Sequence, residues 1–282
     1  MFIVLKIKMD YLDSLFYAVN QAQEAVLQCL KTKEAKAIIK EKDSDLTRKV
    51  DLIAEEKIEE SLKNEGIEAY LISEETPIKK IGRDLKPQLI IIIDPLDGTR
   101  NFVNSIPFYS ISIAVGKVKN EDAQLNDLFI GIVKDVLRGD VFYAVKGEGS
   151  YYNNEKIKKE NSFYEEEEDK PLISLYTYGN ELPLKNLSNL LKKFKIRVLG
   201  SLALELCYTA LGRLDGVIDA RGKARIVDFA AGKIILEEAG GVISSLNGKP
   251  IEASLKNAKS GFNLIAAKNM FLHKTLVNIL KG

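Results

Sequence analysis

One stretch in the first third of the chain constrains the fold more than any other. Leu89-Ile90-Ile91-Ile92-Ile93 runs without a polar break into Asp94-Pro95-Leu96-Asp97-Gly98-Thr99. An unbroken apolar run of this length suits a strand buried on both faces, so a sheet with layers above and below it is expected. Asp94 stands where the run ends, and the carboxyl ends of strands are where α/β sheets bind ligands. Pro95 fixes φ and Gly98 permits a tight turn, which holds Asp94 and Asp97 on one side of a rigid loop. Two carboxylates held together attract a hard cation. Mg²⁺ accepts carboxylates, backbone carbonyls and water, so the Leu96 carbonyl between the two aspartates is a natural further ligand. The amides of Gly98 and Thr99 follow at once and can turn toward an anion. Metal ligands followed by anion-facing amides are what a metal-assisted phosphatase needs; an Asp-Gly turn with only capping duties is the plainer alternative.

Around this strand, apolar spacing predicts the remaining elements. Leu12, Leu15, Phe16, Val19, Ala22, Val26 and Leu30 recur at the helical period between residues 10 and 30, and Val50, Ile53, Ala54, Ile58 and Leu62 mark a second helix that Gly66 closes. The polar stretch from Lys40 to Asp45 is too charged for a core element and is a candidate for function. Strand-like runs follow at 69–73, 89–93, 110–118, 128–134 and 141–145. The like-charge block Glu165-Glu166-Glu167-Glu168-Asp169 predicts a solvated linker between two halves, 1–160 and 171–282, packed as one continuous catalytic unit. Beyond it, strands at 172–176, 197–199, 216–219, 242–245 and 263–267 alternate with helices at 184–194, 202–211, 228–239 and 271–280. Residues 1–8 are too short and too lysine-interrupted for a signal peptide or a membrane span, and read as a loose arm or a mis-called start with Met9 the initiator.

Composition removes several function classes. Lys+Arg number 41 against Asp+Glu 40, so no net charge steers the chain to nucleic acid, and nothing marks a membrane protein. Cys29 and Cys207 are the only cysteines, which excludes a disulfide framework and a thiolate zinc site and points to a reducing cytoplasm.

Three ordered segments carry a family resemblance. Asp94-Pro95-Leu96-Asp97-Gly98-Thr99-Arg100-Asn101-Phe102 resembles the signature of the inositol monophosphatase family. Ser73-Glu74-Glu75-Thr76 resembles its preceding acidic pair, and Val227-Asp228-Phe229-Ala230-Ala231-Gly232, with Glu237-Glu238-Ala239-Gly240-Gly241 after it, resembles its C-terminal signature. The likeness extends to the archaeal members that combine inositol monophosphatase with fructose-1,6-bisphosphatase activity, and Asp45-Leu46-Thr47-Arg48-Lys49-Val50-Asp51 is part of it. The resemblance implies an α/β (α+β) fold arranged as a five-layer αβαβα sandwich, a homodimer, inhibition by Li⁺, and two or three Mg²⁺ ions with Mn²⁺ as a substitute.

By that resemblance Glu74, Asp94 and the Leu96 carbonyl hold one ion, Asp94, Asp97 and Asp228 hold a second, and Asp45, with Lys40 near it, touches a third. Thr99 and Asp51 relay the proton of the attacking water with Glu74 adjacent, and no covalent enzyme intermediate is required. Asp97, Gly98 and Thr99 also line the phosphate. Arg197, Gly200-Ser201, Asp219 and Arg221 fall where the alcohol binds, and an Arg there can clamp a second phosphate bidentately. Plainer readings stand beside these: Asp228 as a helix N-cap, each Arg as a surface ion pair, Lys40 and Asp45 as a solvated cluster, Glu75 as loop-positioning or exposed, and His273 as surface or packing. Val227 departs from the Trp common before the metal-binding Asp, and Arg100 from a small or apolar residue. The competing functions are a 3′-phosphoadenosine 5′-phosphate phosphatase and a non-catalytic scaffold for RNA or protein, the mark of the latter being a lost metal ligand.

Overall fold

The computed structural model describes residues 2–30, 38–42, 45–83, 86–118, 123–158, 170–179 and 182–281, with the side chains of residues 2–10, 38–42 and 45–48 outside the description. Helix α1 (Phe2–Cys29) begins well before residue 10, so residues 2–9 continue the helix and are not a loose arm. Of the polar stretch from Lys40 to Asp45, read as too charged for a core element, residues 40–42 lie on β1 (Ile38–Lys42) and Asp45 opens β2 (Asp45–Arg48), which pairs with β1 antiparallel. Helix α2 (Lys49–Asn64) follows directly. The linker expected over 160–170 lies outside the described residues except for Lys170.

The first large sheet contains β3 (Ala69–Ser73), β4 (Lys79–Ile81), β5 (Leu89–Asp97), then, after the one-turn helix α3 (Thr99–Val103), β6 (Ser110–Lys117), β7 (Leu128–Asp135), β8 (Val141–Val145), β9 (Gly149–Tyr152) and β10 (Glu155–Lys156). Its order is β10-β9-β8-β7-β6-β5-β3-β4, antiparallel throughout except for the parallel β3–β5 pair. The second sheet comprises β11 (Leu172–Tyr176), β12 (Lys195–Arg197), β13 (Gly216–Ala224), β14 (Val242–Ser244) and β15 (Phe262–Ala267) in the order β12-β11-β13-β15-β14. Helices α4 (Leu184–Lys193), α5 (Leu202–Ala210), α6 (Ile226–Glu238) and α7 (Met270–Lys281) complete the second half.

Strand alternation sorts these elements into layers. Leu71, Ile91, Ile93, Ile111 and Ile113 face α1 and α2, while Ile72, Ile90, Ile92 and Ala114 on the opposite face pack on α5 and α6. The second sheet presents Val217, Leu264 and Ala266 to α5 and α6, and Ile173, Leu175, Ile218 and Ile265 to α4 and α7. The order is therefore helix pair, sheet, helix pair, sheet, helix pair, as expected for a five-layer αβαβα sandwich. The unbroken isoleucine run follows from this: β5 is buried at every position because both its faces are covered.

Helix α6 is the innermost element. A Cβ on Gly131 of β7 would stand 2.6 Å from the Ala231 carbonyl oxygen, so only glycine lets this helix lie so close to the sheet. At the helix C-terminus both Glu238 carboxylate oxygens accept amide hydrogen bonds from the β8–β9 turn, from Gly147 and Gly149, each at 3.0 Å.

Candidate active site

The strand expected at 89–93 runs on to Asp97, with an irregularity in its pairing with β6: Asp94 faces Ser112 and Asp97 faces Ser110, three steps against two. Pro95, which has no N–H to donate, lies inside this bulge. The bulge re-aims both aspartates. The Asp94 carboxylate accepts the Leu96 amide at 3.1 Å, and Asp97 accepts the Ser201 hydroxyl at 2.6 Å and the Ala203 amide at 2.8 Å at the start of α5. Gly98 then takes φ +95° and opens α3, and a Cβ there would press on the Phe108 and Gly200 carbonyl oxygens. Asn101 locks the neighbouring turn by donating to Phe108 and Leu199 carbonyls, each at 2.7 Å.

Glu74 reaches Asp94 because β3 and β5 are parallel neighbours, Ser73 facing Ile93, so both strands deliver the residue after their last paired position to the same edge. Asp228 arrives from the opposite layer, in the first turn of α6. Glu74, Asp94 and Asp228 each offer a carboxylate oxygen, and these oxygens lie within 4.8 Å of one another. Burial pushes Glu74 up to about 7, the Arg225 charge opposing it and Asp228 and Glu75 adding to it. Asp94 is raised by burial and then by the charges of Glu74, Asp97 and Asp228. Asp97 is pushed to about 7 by burial against the pull of its bonds to Ser201 and Ala203. Four carboxylates thus crowd one cleft, and burial with their mutual repulsion disfavours the charged forms of Glu74, Asp94 and Asp97, the environment a divalent cation relieves. Their donors are all oxygen, with no thiolate or imidazole among them, which fits a hard cation of the Mg²⁺ or Mn²⁺ type.

One protein cation is already at hand. Arg225 reaches Glu74 at 2.7 Å with one terminal nitrogen and Asp228 at 2.8 Å with the other. Its amide also donates to Asp228 at 2.8 Å, so Arg225 is the N-cap residue and Asp228 stands three positions inside the helix, not at the N-cap itself. Sequence reasoning counted Arg225 only among the arginines from Arg197 to Arg225 that hint at a doubly phosphorylated substrate, and missed its pairing with Glu74 and Asp228, although its spacing before Asp228 is that of a capping pair. It also passed over the two anchors of the Glu74 loop. Glu55 of α2 accepts hydroxyl hydrogen bonds from Ser73 at 2.5 Å and Thr76 at 2.6 Å, and Lys259 donates to the Glu74 and Thr76 carbonyls at 2.8 and 3.0 Å. Lys259 lies 185 residues from Glu74, a separation that leaves no sequence signal.

The other expected residues are distributed as follows. The Thr99 hydroxyl has acceptors in the buried Asp51 carboxylate at 3.1 Å and the Leu96 carbonyl at 2.9 Å, and its single proton can serve one at a time. Arg221 donates to Asp219 at 3.0 Å, lies over the Tyr176 ring at 4.5 Å and hydrogen-bonds the Tyr178 hydroxyl. Arg197 is exposed on the edge strand β12, which starts two residues earlier than expected, and its guanidinium donates to the Ile196 carbonyl instead of to a site residue. Glu75 is buried, Arg100 is exposed, and Val227 is buried beside Asp228. His273 is packed inside, its Nε2 2.7 Å from the Ser244 hydroxyl. The side chains of Asp45 and Lys40 lie outside the described residues.

Comparison with known proteins places this geometry. The model of the inositol monophosphatase family matches residues 10–281. A fructose-1,6-bisphosphatase/inositol-1-monophosphatase of Methanothermobacter thermautotrophicus is 36% identical over 266 residues, 93% of each chain. A bifunctional NADP phosphatase/NAD kinase of Methanococcus maripaludis is 32% identical over 96% of this chain, which spans 49% of that protein's length. Among solved structures, a hypothetical protein of Pyrococcus horikoshii described by its similarities to inositol-1 monophosphatase superposes with a TM-score of 0.75 at 32% identity, covering 97% of this chain and 96% of that one.

Proposed function

The chain belongs to the inositol monophosphatase family and is a phosphatase; on that premise we propose that it hydrolyses small phosphorylated polyols and sugars, inositol 1-phosphate and fructose 1,6-bisphosphate, with Mg²⁺ as cofactor and Mn²⁺ as a substitute. The observation that carries the reading is the convergence of Glu74, Asp94 and Asp228 oxygens within 4.8 Å, from three elements of two layers, beside the Thr99–Asp51 pair.

Glu74, Asp94, Asp228 and the Leu96 carbonyl would hold cations, with Asp97 completing the set and Asp45 a peripheral contact. Bound divalent cations supply Lewis acidity that activates water and neutralises the phosphate and the leaving alkoxide. The chain's own groups supply the rest. Thr99 passes the proton of the attacking water to Asp51, which is buried next to it at the start of α2. Gly98 and Thr99 amides orient the phosphate, and the cleft wall of Ser201, Asp219 and Arg221 orients the alcohol. Arg221, held over the Tyr176 ring at 4.5 Å and by Asp219, presents a fixed cation to a second phosphate. Both halves of the chain furnish ligands, which is why we treat them as one catalytic unit. A homodimer in a reducing cytoplasm, inhibited by Li⁺, completes the reading; among the described residues no helix is long and apolar enough to cross a membrane, and Cys29 and Cys207 are buried without a disulfide.

The test is phosphate release from inositol 1-phosphate, fructose 1,6-bisphosphate, NADP and 3′-phosphoadenosine 5′-phosphate, each with Mg²⁺, Mn²⁺ or EDTA. Cleavage of the first two with metal and none with EDTA is expected. Absence of cleavage of every ester would return the chain to the scaffold reading, and a preference for either nucleotide would reassign the substrate.

A further inference from the structure

Outside the cleft the most unusual ionisable group is Glu205, in the first turn of α5. It has no solvent exposure. One of its oxygens accepts the Ser174 hydroxyl at 2.8 Å and the Leu199 amide at 2.7 Å, while the other has no hydrogen-bond partner. The Tyr176 hydroxyl lies beside the carboxylate and accepts the Gly200 amide at 2.9 Å. Every group around Glu205 that makes a hydrogen bond to it is a donor, the arrangement that suits an ionised carboxylate. No Lys or Arg pairs with it among the described residues.

A buried charge without a counterion is costly, and its retention calls for a compensating cation nearby. The turn that Glu205 grips leads to Asp97, one of the carboxylates that would hold such a cation. Leu199 and Gly200 are held by Glu205 and Tyr176, the next residue, Ser201, donates to Asp97, and Ala203 on the same helix turn donates to Asp97 as well. The Glu205 charge is felt at Asp97. Burial pushes Glu205 up to about 7 in the absence of any metal.

We propose that Glu205 is a positioning residue of the metal centre: it fixes the Leu199–Ser201 turn that aims Asp97, and its charge strengthens divalent-cation binding from behind Asp97. The proposal rests on the metal reading above. Coupling of this kind is reciprocal, since a cation in the cleft favours ionised Glu205 as much as ionised Glu205 favours the cation.

Glu205→Gln separates charge from shape. Its amide oxygen can keep the bonds from Ser174 and Leu199, and its amide nitrogen can donate to the Tyr176 hydroxyl. Calorimetric titration of the full chain with Mn²⁺ and with Mg²⁺ is expected to give an affinity weakened about tenfold or more, the scale of outer-sphere contacts. Thermal melting in EDTA should be unchanged or raised, because a buried charge has gone. Glu205→Ala, which also frees the turn, should weaken metal binding further and lower the melting temperature. Wild-type metal affinity in Glu205→Gln would overturn the inference while leaving the metal reading intact, and so would a loss of melting temperature in EDTA that accounts for the weaker binding. Failure of the wild-type chain to bind either cation would overturn both.

Discussion

Replacing Arg225 by Gln tests whether the cleft is built for a metal or for an arginine. The guanidinium nitrogens stand 2.7 and 2.8 Å from oxygens of Glu74 and Asp228. A Mg²⁺ ion bound to those oxygens would lie about 2.1 Å from each, so an unmoved guanidinium would be about 5 Å from the ion. With an effective dielectric of about 20, that separation corresponds to a repulsion of about 6–7 kcal/mol. Arg225 is 22% exposed by side chain, so rotation toward solvent and screening remove most of this. What remains is the loss of its charge-assisted bond to Glu74, about 1.4 kcal/mol, or tenfold in affinity. Arg225→Gln should therefore bind Mg²⁺ about tenfold more tightly by calorimetry, melt lower than wild type in EDTA, and show a larger rise in melting temperature on adding Mg²⁺. Arg225→Lys, keeping the charge, should stay near wild type. Weaker Mg²⁺ binding in Arg225→Gln would refute the reasoning and make Arg225 a support for the ligands.

Further outcomes follow from the same geometry. Asp94→Asn should lower kcat/KM for phosphate release by at least about a hundredfold, on the order of 3 kcal/mol, and abolish the Mg²⁺-induced thermal shift; retention of both would remove Asp94 from the ligand set. In the metal-free protein Glu74 and Asp97, each raised to about 7, hold protons that the unfolded chain releases near pH 4, so stability falls as pH rises through that window. Melting in EDTA should accordingly be higher at about pH 5.5 than at about pH 7.5, and saturating Mg²⁺, which competes with those protons, should reverse the order. Phe229→Ala, at a fully buried position whose ring meets the Phe262 edge, should cost about 3–5 kcal/mol in urea unfolding; a loss below about 1 kcal/mol would contradict the close packing of α6.

The fold was largely legible in the sequence because each layer imposes its own period. Strands 69–73, 141–145 and 172–176 coincide with β3, β8 and β11, and helices that bury one stripe, such as α1 and α2, announced themselves by spacing. Boundaries moved where tertiary contacts overrule local pattern. The strand expected at 197–199 ends at Arg197 because Leu199 and Gly200 are diverted to Glu205 and Tyr176, and β5 continues through Pro95 because a bulge accommodates it. The candidate ligands were legible as short acidic motifs. The groups that hold them were less so: Lys259 reaches the Glu74 loop across a separation that leaves no pattern in the chain, and of the two contacts of Arg225 only the one to Asp228 has a local spacing to mark it, the one to Glu74 having none.

Helix α6 is fastened at three points: at its start by Arg225 and Asp228, at its middle by the close approach to Gly131, and at its end by Glu238 on the β8–β9 turn. A helix so restrained holds Asp228 in nearly one orientation before any ion arrives. The conformational entropy that a flexible ligand would lose on coordination is thereby already spent during folding, and the cleft meets its cation preorganised.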